Sequence, residues 1–232
     1  MGFRSRGIKI DFSTNELSEK EYYDPVDSVY KYHRHITLLS QQMQLLEFAI
    51  KDEDEIDSIN FHTGCKPIDS LLTMRHDGAI KEKICQIFDG TYKLYTLGIR
   101  FKNRQIVAES IYYYPTVWKI NRYGICGQKK KEIIQEQIKR FAEELQLNIS
   151  DRKLLYSFIP LIKKFKGICI TTDQYQQQSY KLYFRMNEDD VRDFFKNYFD
   201  YEKFKLLYSD TVLIALRITS EKITGCNLYY LK

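Results

Sequence analysis

Gly167-Ile168-Cys169-Ile170 and the later stretch Lys181-Leu182-Tyr183-Phe184 carry the pattern that decides the fold of this 232-residue chain. Both are short, alternate in polarity and contain β-forming side chains, so together they predict a β-hairpin. The signature occurs twice more: Gly98-Ile99-Arg100-Phe101 with Ser110-Ile111-Tyr112-Tyr113, and Ala215-Leu216-Arg217-Ile218 with Asn227-Leu228-Tyr229-Tyr230. A motif that returns in this way indicates one repeated supersecondary unit.

Each predicted hairpin has two different faces, because side chains alternate across a strand. One face is apolar in all three copies and is expected to pack under helices. The other face combines cations, phenols and small polar residues: Gly98, Arg100, Ser110, Tyr112, Cys169, Lys181, Tyr183, Arg217, Asn227 and Tyr229. A solvated sheet surface is the simpler explanation of such a face. The return of Arg and Tyr at equivalent positions favours the lining of a lumen instead.

The segments between the hairpins have helical periodicity. Apolar residues predict two helices between the first and second hairpins, over 134–145 and 154–162, and Pro160 should disturb or end the second. A helix over 191–198 and a short piece at 204–207 precede the third hairpin. The predicted order is therefore helix, helix, strand, strand, repeated.

The N-terminal part, residues 1–90, is predicted to be mainly helical. Apolar residues that step by three and four predict one long helix over 29–50, and a weaker pattern covers 68–88. Two strand candidates, 7–12 and 57–64, provide the material for a fourth hairpin.

We predict a single domain over residues 1–232, with the three hairpins and their helix pairs in 91–232. The fold class is α+β: helix-helix-strand-strand repeats that form an antiparallel β-barrel or a strongly curved sheet, with helices outside. A hydrophobic content of 44% is enough for a substantial core.

The composition favours a reduced, cytoplasmic protein. The five cysteines are scattered and odd in number, which argues against a disulfide scaffold. The N-terminus is too polar for a signal peptide, and no apolar stretch approaches the roughly 20 residues of a membrane span. The net charge of +5 is modest, whereas 19 tyrosines and 14 phenylalanines are an unusual aromatic content.

The paired strands resemble aromatic prenyltransferases of the ABBA (PT-barrel) class, most closely the cyanobactin-type enzymes that prenylate ribosomal peptides. The resemblance covers about 90–232 and rests on the hairpin pairs, on the run 181–190 leading into a helix, and on the terminal 227–230. It implies an antiparallel barrel with a solvent-filled lumen, where an allylic diphosphate donor meets a peptide or aromatic acceptor. A full family barrel uses more hairpins than are evident here. The chain therefore looks shortened, with a small lumen, an open barrel, or a second identical or different subunit as the alternatives.

The resemblance also implies roles for the polar face. Its cations would bind the diphosphate, and its tyrosines would shield the prenyl cation from water. The implied donor-binding residues are Arg100, Lys181, Arg217, Asn227 and Lys9, and the implied shielding residues are Tyr112, Tyr183 and Tyr229. Near the first hairpin, where the family places a carboxylate base, the inward residue is Thr96. Asp11 is the early carboxylate that strand phase directs inward, so it is the candidate base.

Prenyl transfer is the favoured function. The resemblance allows magnesium and implies no organic cofactor. A non-catalytic peptide-binding or partner subunit on the same scaffold is the alternative from another class. A single-stranded nucleic-acid binder is a further one, which the modest charge disfavours.

No metal site is predicted from the chain's own residues. The run Asp189-Asp190-Val191-Arg192-Asp193 matches a magnesium-binding DDxxD pattern of helical isoprenoid synthases. However, acidic residues in a first helical turn, after Asn187 as cap, serve to satisfy the helix terminus. His33 and His35 are two apart on a predicted helix and so point to different sides.

Overall fold

The computed structural model describes residues 2–52, 55–62, 82, 87, 93–114, 128–161, 164–187, 189–193, 211–219 and 221–231. Its ten strands are β1 (Phe3–Asp11), β2 (Leu17–Tyr23), β3 (Gln44–Asp52), β4 (Glu55–His62), β5 (Lys93–Lys102), β6 (Gln105–Tyr114), β7 (Lys164–Asp173), β8 (Gln178–Asn187), β9 (Thr211–Ile218) and β10 (Ile223–Leu231). Its helices are α1 (Asp27–Tyr30), α2 (Arg34–Ser40), α3 (Gln128–Glu144) and α4 (Ile149–Phe158).

The ten strands form a closed antiparallel barrel. Each strand pairs with its neighbours in the sequence, and β10 returns to β1 in a register that runs from Ser5 opposite Leu231 to Asp11 opposite Gly225. The α+β barrel with helices outside is thus confirmed. The count of hairpins was wrong: there are five, not three or four, and the barrel closes within one chain.

The hydrophobic core lies between the barrel wall and the helices. The apolar faces predicted for the three hairpins point outward; Ile99, Leu182 and Leu216 are each fully buried. Phe141 of α3 and Phe158 of α4 pack against this wall in one large cluster. Since the outward face is covered, the polar face must line the interior, which excludes the solvated-surface explanation.

The helix pair before β7 was predicted correctly. Asn148 caps α4 by accepting a hydrogen bond from the Asp151 amide at 2.9 Å. The helix ends at Phe158 and continues as a 3-10 turn, Ile159–Leu161, at the predicted proline. The helix predicted over 191–198 already includes residues 189 and 190 and is helical as far as 193. Residues 194–198 lie outside the described residues. The 204–207 piece, and all of 68–88 except 82 and 87, also lie outside them.

The predicted helix over 29–50 is wrong in its second half, and the described residues of the N-terminal part are mainly strand. Residues 27–40 form the short helices α1 and α2, but 44–52 form strand β3. Register shifts at Leu45/Glu47, Ala49/Ile50 and Ile50/Asp52 interrupt its pairing with β4. Such bulges add a residue to the two-residue repeat, so a buried strand acquires an apolar spacing close to that of a helix.

The strand candidates at 7–12 and 57–64 are confirmed as β1 and β4, and β2 was missed. The sequence of β2, Leu17–Tyr23, has charged residues on both faces and offers no apolar alternation. Its outward residue Glu19 forms an ion pair with Arg6 of β1 at 2.9 Å. Among the described residues, this part of the outer wall is held by an ion pair. The outward face of β2 therefore lacks the regular apolar positions from which a strand is predicted.

The two ends of the barrel differ. At one end of the barrel, two to five residues of sequence separate the strands of each hairpin: 12–16, 53–54, 103–104, 174–177 and 219–222. At the other end lie Phe3, Leu231 and the strand ends between which the chain passes from one hairpin to the next. We call these the turn end and the connection end. No helix among the described residues is long and apolar enough to cross a bilayer.

Candidate active site

Two cavities of the barrel interior are lined by described residues. The larger, of about 570 Å³, lies toward the turn end and is lined by five basic side chains: Lys9, Lys20, Arg100, Lys181 and Arg217. We call it the cation chamber. Its described lining includes two acidic residues, Glu19 and Asp57. A ten-stranded barrel is wide enough to leave such a space, whereas eight strands are largely filled by their own side chains.

A short motif positions three of these cations. In β1, β5 and β9 a small residue is followed two positions later by a base: Gly7 and Lys9, Gly98 and Arg100, Ala215 and Arg217. Alternation places both members on the lumen side. In β7 the equivalent of the base is Cys169, but its cross-strand partner on β8 is Lys181. Each of these hairpins thus contributes at least one cation to the chamber.

Two of the five cations have partners in the described structure. Lys20 is bound to the Asp57 carboxylate and lies 2.8 Å from Ser58 Oγ. Arg217 Nη2 donates a 2.7 Å hydrogen bond to the Ile10 carbonyl and lies 3.7 Å from Asp11 Oδ2. Among the described residues, none pairs with Lys9, Arg100 or Lys181.

Burial and neighbouring positive charges lower the pKa values of lysines in this chamber. Burial lowers the pKa of Lys181 to about 8, and the nearby Arg100, Lys20 and Arg217 contribute in the same direction. Burial also lowers the pKa of Lys9, again with help from arginines 217 and 100. An anion of high charge would relieve this repulsion.

Four tyrosines cross the middle of the barrel. Ring centroids are 6.0 Å apart for Tyr22 and Tyr229, 6.2 Å for Tyr229 and Tyr183, and 5.7 Å for Tyr183 and Tyr112. We call this set the tyrosine layer. Burial raises the pKa of all four phenols above its usual value, so they stay neutral at physiological pH. Asn227 donates a hydrogen bond to the Tyr229 hydroxyl at 3.0 Å, which orients that ring.

The small residues of the motif make room for this layer. A Cβ at Gly7 would lie 3.2 Å from the Tyr22 ring and 3.3 Å from the Tyr229 ring. A Cβ at Gly98 would lie 2.8 Å from Asn60 Oδ1 and 3.3 Å from the Tyr112 ring. The recurring glycine and the recurring tyrosine are therefore two parts of one arrangement.

The second cavity, of about 320 Å³, lies beyond the tyrosine layer toward the connection end. The two cavities share Tyr22, Asn60, Tyr112 and Tyr229. Residues that line only the second cavity include Leu46, Glu47, Thr96, Tyr183, Arg185 and Leu213. Glu47 Oε1 accepts a 2.9 Å hydrogen bond from Asn60 Nδ2. We call this cavity the second chamber. Its lining includes both the Glu47 carboxylate and Thr96, the position at which the sequence analysis found no acid.

The structure brings together all but one of the residues predicted for the site. Lys9, Arg100, Lys181, Arg217 and Asn227 line the cation chamber, and the three predicted tyrosines belong to the tyrosine layer. Their roles stay predictions.

Asp11 is the residue that the structure does not bring into a chamber: it is absent from the described linings of both. It lies where β1 ends, at the turn end, with its Oδ1 accepting hydrogen bonds from the Ser13 amide and hydroxyl. These bonds lower the pKa of the carboxyl. A carboxylate already stabilised in this way is a weak proton acceptor, so this geometry does not favour Asp11 as base.

Sequence reasoning missed Lys20, Tyr22, Glu47 and Asn60. Lys20 and Tyr22 lie on the polar strand β2, and Glu47 lies on the strand that was mistaken for a helix. The spacing Ser18, Lys20, Tyr22 was the available signal, since it repeats the cation and the phenol of the other hairpins at a two-residue interval.

The residues of the cation chamber do not fit a protein-held magnesium ion. No group of three or more His, Cys, Asp or Glu in the described residues is arranged to hold a metal. The Glu19 carboxylate points outward and pairs with Arg6, and the Asp57 carboxylate is bound to Lys20. Oxygen ligands, which magnesium requires, would have to come from the ligand rather than from these residues.

No family model matches the sequence, and no curated protein is similar to it in sequence. The fold, in contrast, is similar to that of 6-dimethylallyltryptophan synthase from Micromonospora olivasterospora, whose crystal structure contains DMASPP and Trp. The likeness covers 98% of this chain and 81% of the synthase, with a TM-score of 0.55 and 7% identity. The chain has the prenyltransferase-barrel fold. At this identity the likeness shows the fold of the prenyltransferase barrel alone, and the closer resemblance to shortened, cyanobactin-type enzymes stays a prediction.

Proposed function

We propose that the protein transfers an allylic prenyl group from its diphosphate to an aromatic acceptor, free or within a peptide. One observation carries the proposal: a chamber with three cations that have no partner among the described residues lies directly against a layer of four tyrosines inside a closed barrel. Diphosphate binding needs the first feature, and a carbocation sheltered from water needs the second. The prenyltransferase-barrel fold supports the same conclusion.

In this proposal Lys9, Arg100, Lys181 and Arg217 bind the diphosphate by charge-assisted hydrogen bonds. The carbon–oxygen bond breaks, and the electron pair leaves with the diphosphate, whose growing charge the cations stabilise. The allylic cation faces the tyrosine rings, where the negative ring faces stabilise it and exclude water. Asn227 acts by positioning Tyr229.

The acceptor occupies the second chamber and attacks the allylic carbon at the layer itself, where Tyr22, Asn60, Tyr112 and Tyr229 line both cavities. A new bond forms between the acceptor ring and the allylic carbon, and the acceptor then loses a proton. Glu47 is the carboxylate of the second chamber, and Asn60 holds one of its oxygens, so we assign it as the base.

Calorimetry with dimethylallyl thiolodiphosphate, an unreactive donor analogue, tests the donor site. We expect saturable binding that is unchanged by EDTA, because these residues hold no magnesium of their own. Product analysis by mass spectrometry, with dimethylallyl diphosphate and either tryptophan or a tryptophan-containing peptide, tests the transfer. Absence of binding with and without magnesium would refute the proposal and favour a non-catalytic peptide-binding or partner role.

Donor affinity should depend on pH through Lys181. The free protein has a Lys181 pKa of about 8, and a bound diphosphate favours the charged amine. Affinity is therefore complete well below pH 8 and falls as pH rises through that value. If binding requires the charged form, the dissociation constant at about pH 9 should be roughly tenfold that at about pH 7. Lys181→Arg should abolish this dependence, and a wild-type affinity that is flat over this interval would contradict it.

Gly225→Ala should weaken donor binding by displacing Arg217. Gly225 has a φ of 156°, and a Cβ there would collide with the Ile10 carbonyl oxygen and the Arg217 guanidinium, which are hydrogen-bonded to each other. Loss of one charge-assisted contact of about 1.5–3 kcal/mol predicts a 10- to 100-fold weaker affinity. Ile223→Ala on the same strand is the control, since it removes core packing and leaves Arg217 in place. Equal affinities in the two variants would contradict the prediction.

A further inference from the structure

We propose that the two chambers open at opposite ends of the barrel, so that the donor enters at the turn end and the acceptor at the connection end. The identity of the two ligands rests on the proposed function. The two separate openings are a property of the barrel, so they can be tested even if the proposed function is wrong.

On every strand that reaches both chambers, the residues nearer the turn end line the cation chamber, and those nearer the connection end line the second chamber. On β8, Ser179 and Lys181 line the cation chamber, whereas Arg185 lines the second chamber. On β9, Arg217 faces the first and Leu213 the second. Strands run the full height of the wall, so this ordering places the chambers one above the other along the barrel axis.

The tyrosine layer separates them. Tyr22 and Tyr183 are each only 8% exposed, and both contact Tyr229 at the barrel centre. Asn60 lines both chambers and is fixed by Glu47. A ligand that crossed from one chamber to the other would have to displace a buried ring, which costs apolar burial and ring packing. Each chamber is therefore expected to fill from its own end.

Residues nearest the connection end keep contact with solvent. Leu46, Lys166, Arg185 and Leu213 line the second chamber and are all half-buried, unlike the apolar wall behind them. The Nε of Arg185 is buried and has no hydrogen-bond partner among the described residues. A half-buried rim of two leucines and two cations around a small cavity lined by tyrosines suits one aromatic side chain of a larger molecule, whose remainder stays outside.

Separate openings have a kinetic consequence. If both ligands shared one opening, a bound donor would obstruct the acceptor. With two openings, either ligand binds first and neither changes the association rate of the other. An acceptor as large as a peptide is then compatible with a chamber of about 320 Å³, because only the reacting side chain has to enter.

Cysteine labelling tests this arrangement. Ser179→Cys reports on the cation chamber, Leu213→Cys on the second chamber, and Ile149→Cys, at a position 66% exposed on α4, gives the unobstructed rate. Each variant is treated with N-ethylmaleimide with and without dimethylallyl thiolodiphosphate, and the modified peptide is quantified by mass spectrometry. Buried Cys169 lies in the same tryptic peptide as position 179, so fragmentation of that peptide assigns the adduct to one residue or the other.

We expect both chamber thiols to react in the free protein. At about 100 times its dissociation constant, the analogue should slow labelling of Ser179→Cys about 100-fold. Labelling of Leu213→Cys should stay unchanged. An unreactive Leu213→Cys in the folded protein, or equal protection of both positions, would overturn the proposal. Thr96→Cys replaces Leu213→Cys if circular dichroism shows that the latter does not fold.

Failure of the proposed function gives a different result. If the analogue does not bind, the donor assignment is lost, but access can still be measured in the double variant Ser179→Trp/Leu213→Cys. Continued labelling at 213, with the cation chamber obstructed by the tryptophan, would support a second opening. Loss of labelling there would show that the second chamber is reached only through the first.

Discussion

Lys181→Met should weaken binding of dimethylallyl thiolodiphosphate about 10- to 100-fold, since one charge-assisted hydrogen bond contributes about 1.5–3 kcal/mol. Arg100→Ala in the same chain should bring the loss to about 10²- to 10⁴-fold if the two contacts are additive. Both side chains line the cation chamber without a partner in the described structure, so their charge is available to a ligand. Calorimetry below pH 8, where Lys181 is charged, measures the effect.

The same substitution should have the opposite effect on stability. Burial lowers the pKa of Lys181, which means that the folded protein opposes its charge. Methionine has a similar length and no charge, so Lys181→Met should raise the midpoint of thermal unfolding at neutral pH. Weaker binding in a more stable protein separates a functional cation from a structural one.

Arg185→Met is the matched control for these cations. Arg185 is also a basic residue of the barrel interior, but it lines the second chamber. The donor affinity of this variant should equal that of the wild type. Unchanged affinity in the Arg100→Ala/Lys181→Met double variant, or an equal loss in Arg185→Met, would show that the diphosphate does not bind in the cation chamber.

Strand phase was sufficient to predict the lumen in the second half of the chain. There, a buried apolar face alternates with the lining face, and period two is undisturbed over the residues that matter, as in Gly98-Ile99-Arg100-Phe101. The inward direction of Lys181 and Tyr183 follows from the same rule, because Leu182 and Phe184 must face the helices. Where helices cover one face of a strand, the side chains of the other face must point into the barrel.

The first half could not be predicted in the same way, for two physical reasons. Strand β3 contains bulges, so its apolar positions no longer alternate. Strand β2 is stabilised by ion pairs such as Arg6 with Glu19, and its outward face lacks the apolar residues that a periodicity argument needs. Three of the four residues missed at the site, Lys20, Tyr22 and Glu47, lie on these two strands. Because β3 was predicted to be a helix, Glu47 was not considered as a candidate base.

Glu47→Gln should reduce the rate of prenyl transfer by about 10²- to 10⁴-fold, which is the usual contribution of a positioned general base. Once the new bond has formed, the acceptor ring is cationic until it loses its proton. A carboxylate in the second chamber both stabilises that charge and accepts the proton. Glutamine has nearly the same shape and an amide oxygen that still accepts the hydrogen bond from Asn60, but it carries no charge and is a poor base.

The effect should be on catalysis and not on binding. Single-turnover rates with dimethylallyl diphosphate and an aromatic acceptor should fall, while the dissociation constants of the donor analogue and the acceptor stay near their wild-type values. A higher acceptor KM with an unchanged kcat would instead mean that Glu47 only helps to bind the acceptor.

Asp11→Asn is the decisive comparison, because Asp11 is the base that strand phase suggested. Its carboxylate is held by Ser13 at the turn end, outside the described lining of both chambers, so the variant should keep its transfer rate. If Asp11→Asn lost the rate and Glu47→Gln kept it, the acceptor would have to react at the turn end. Acceptor and donor would then share the cation chamber. The pair of variants therefore tests the position of the chemistry as well as the identity of the base.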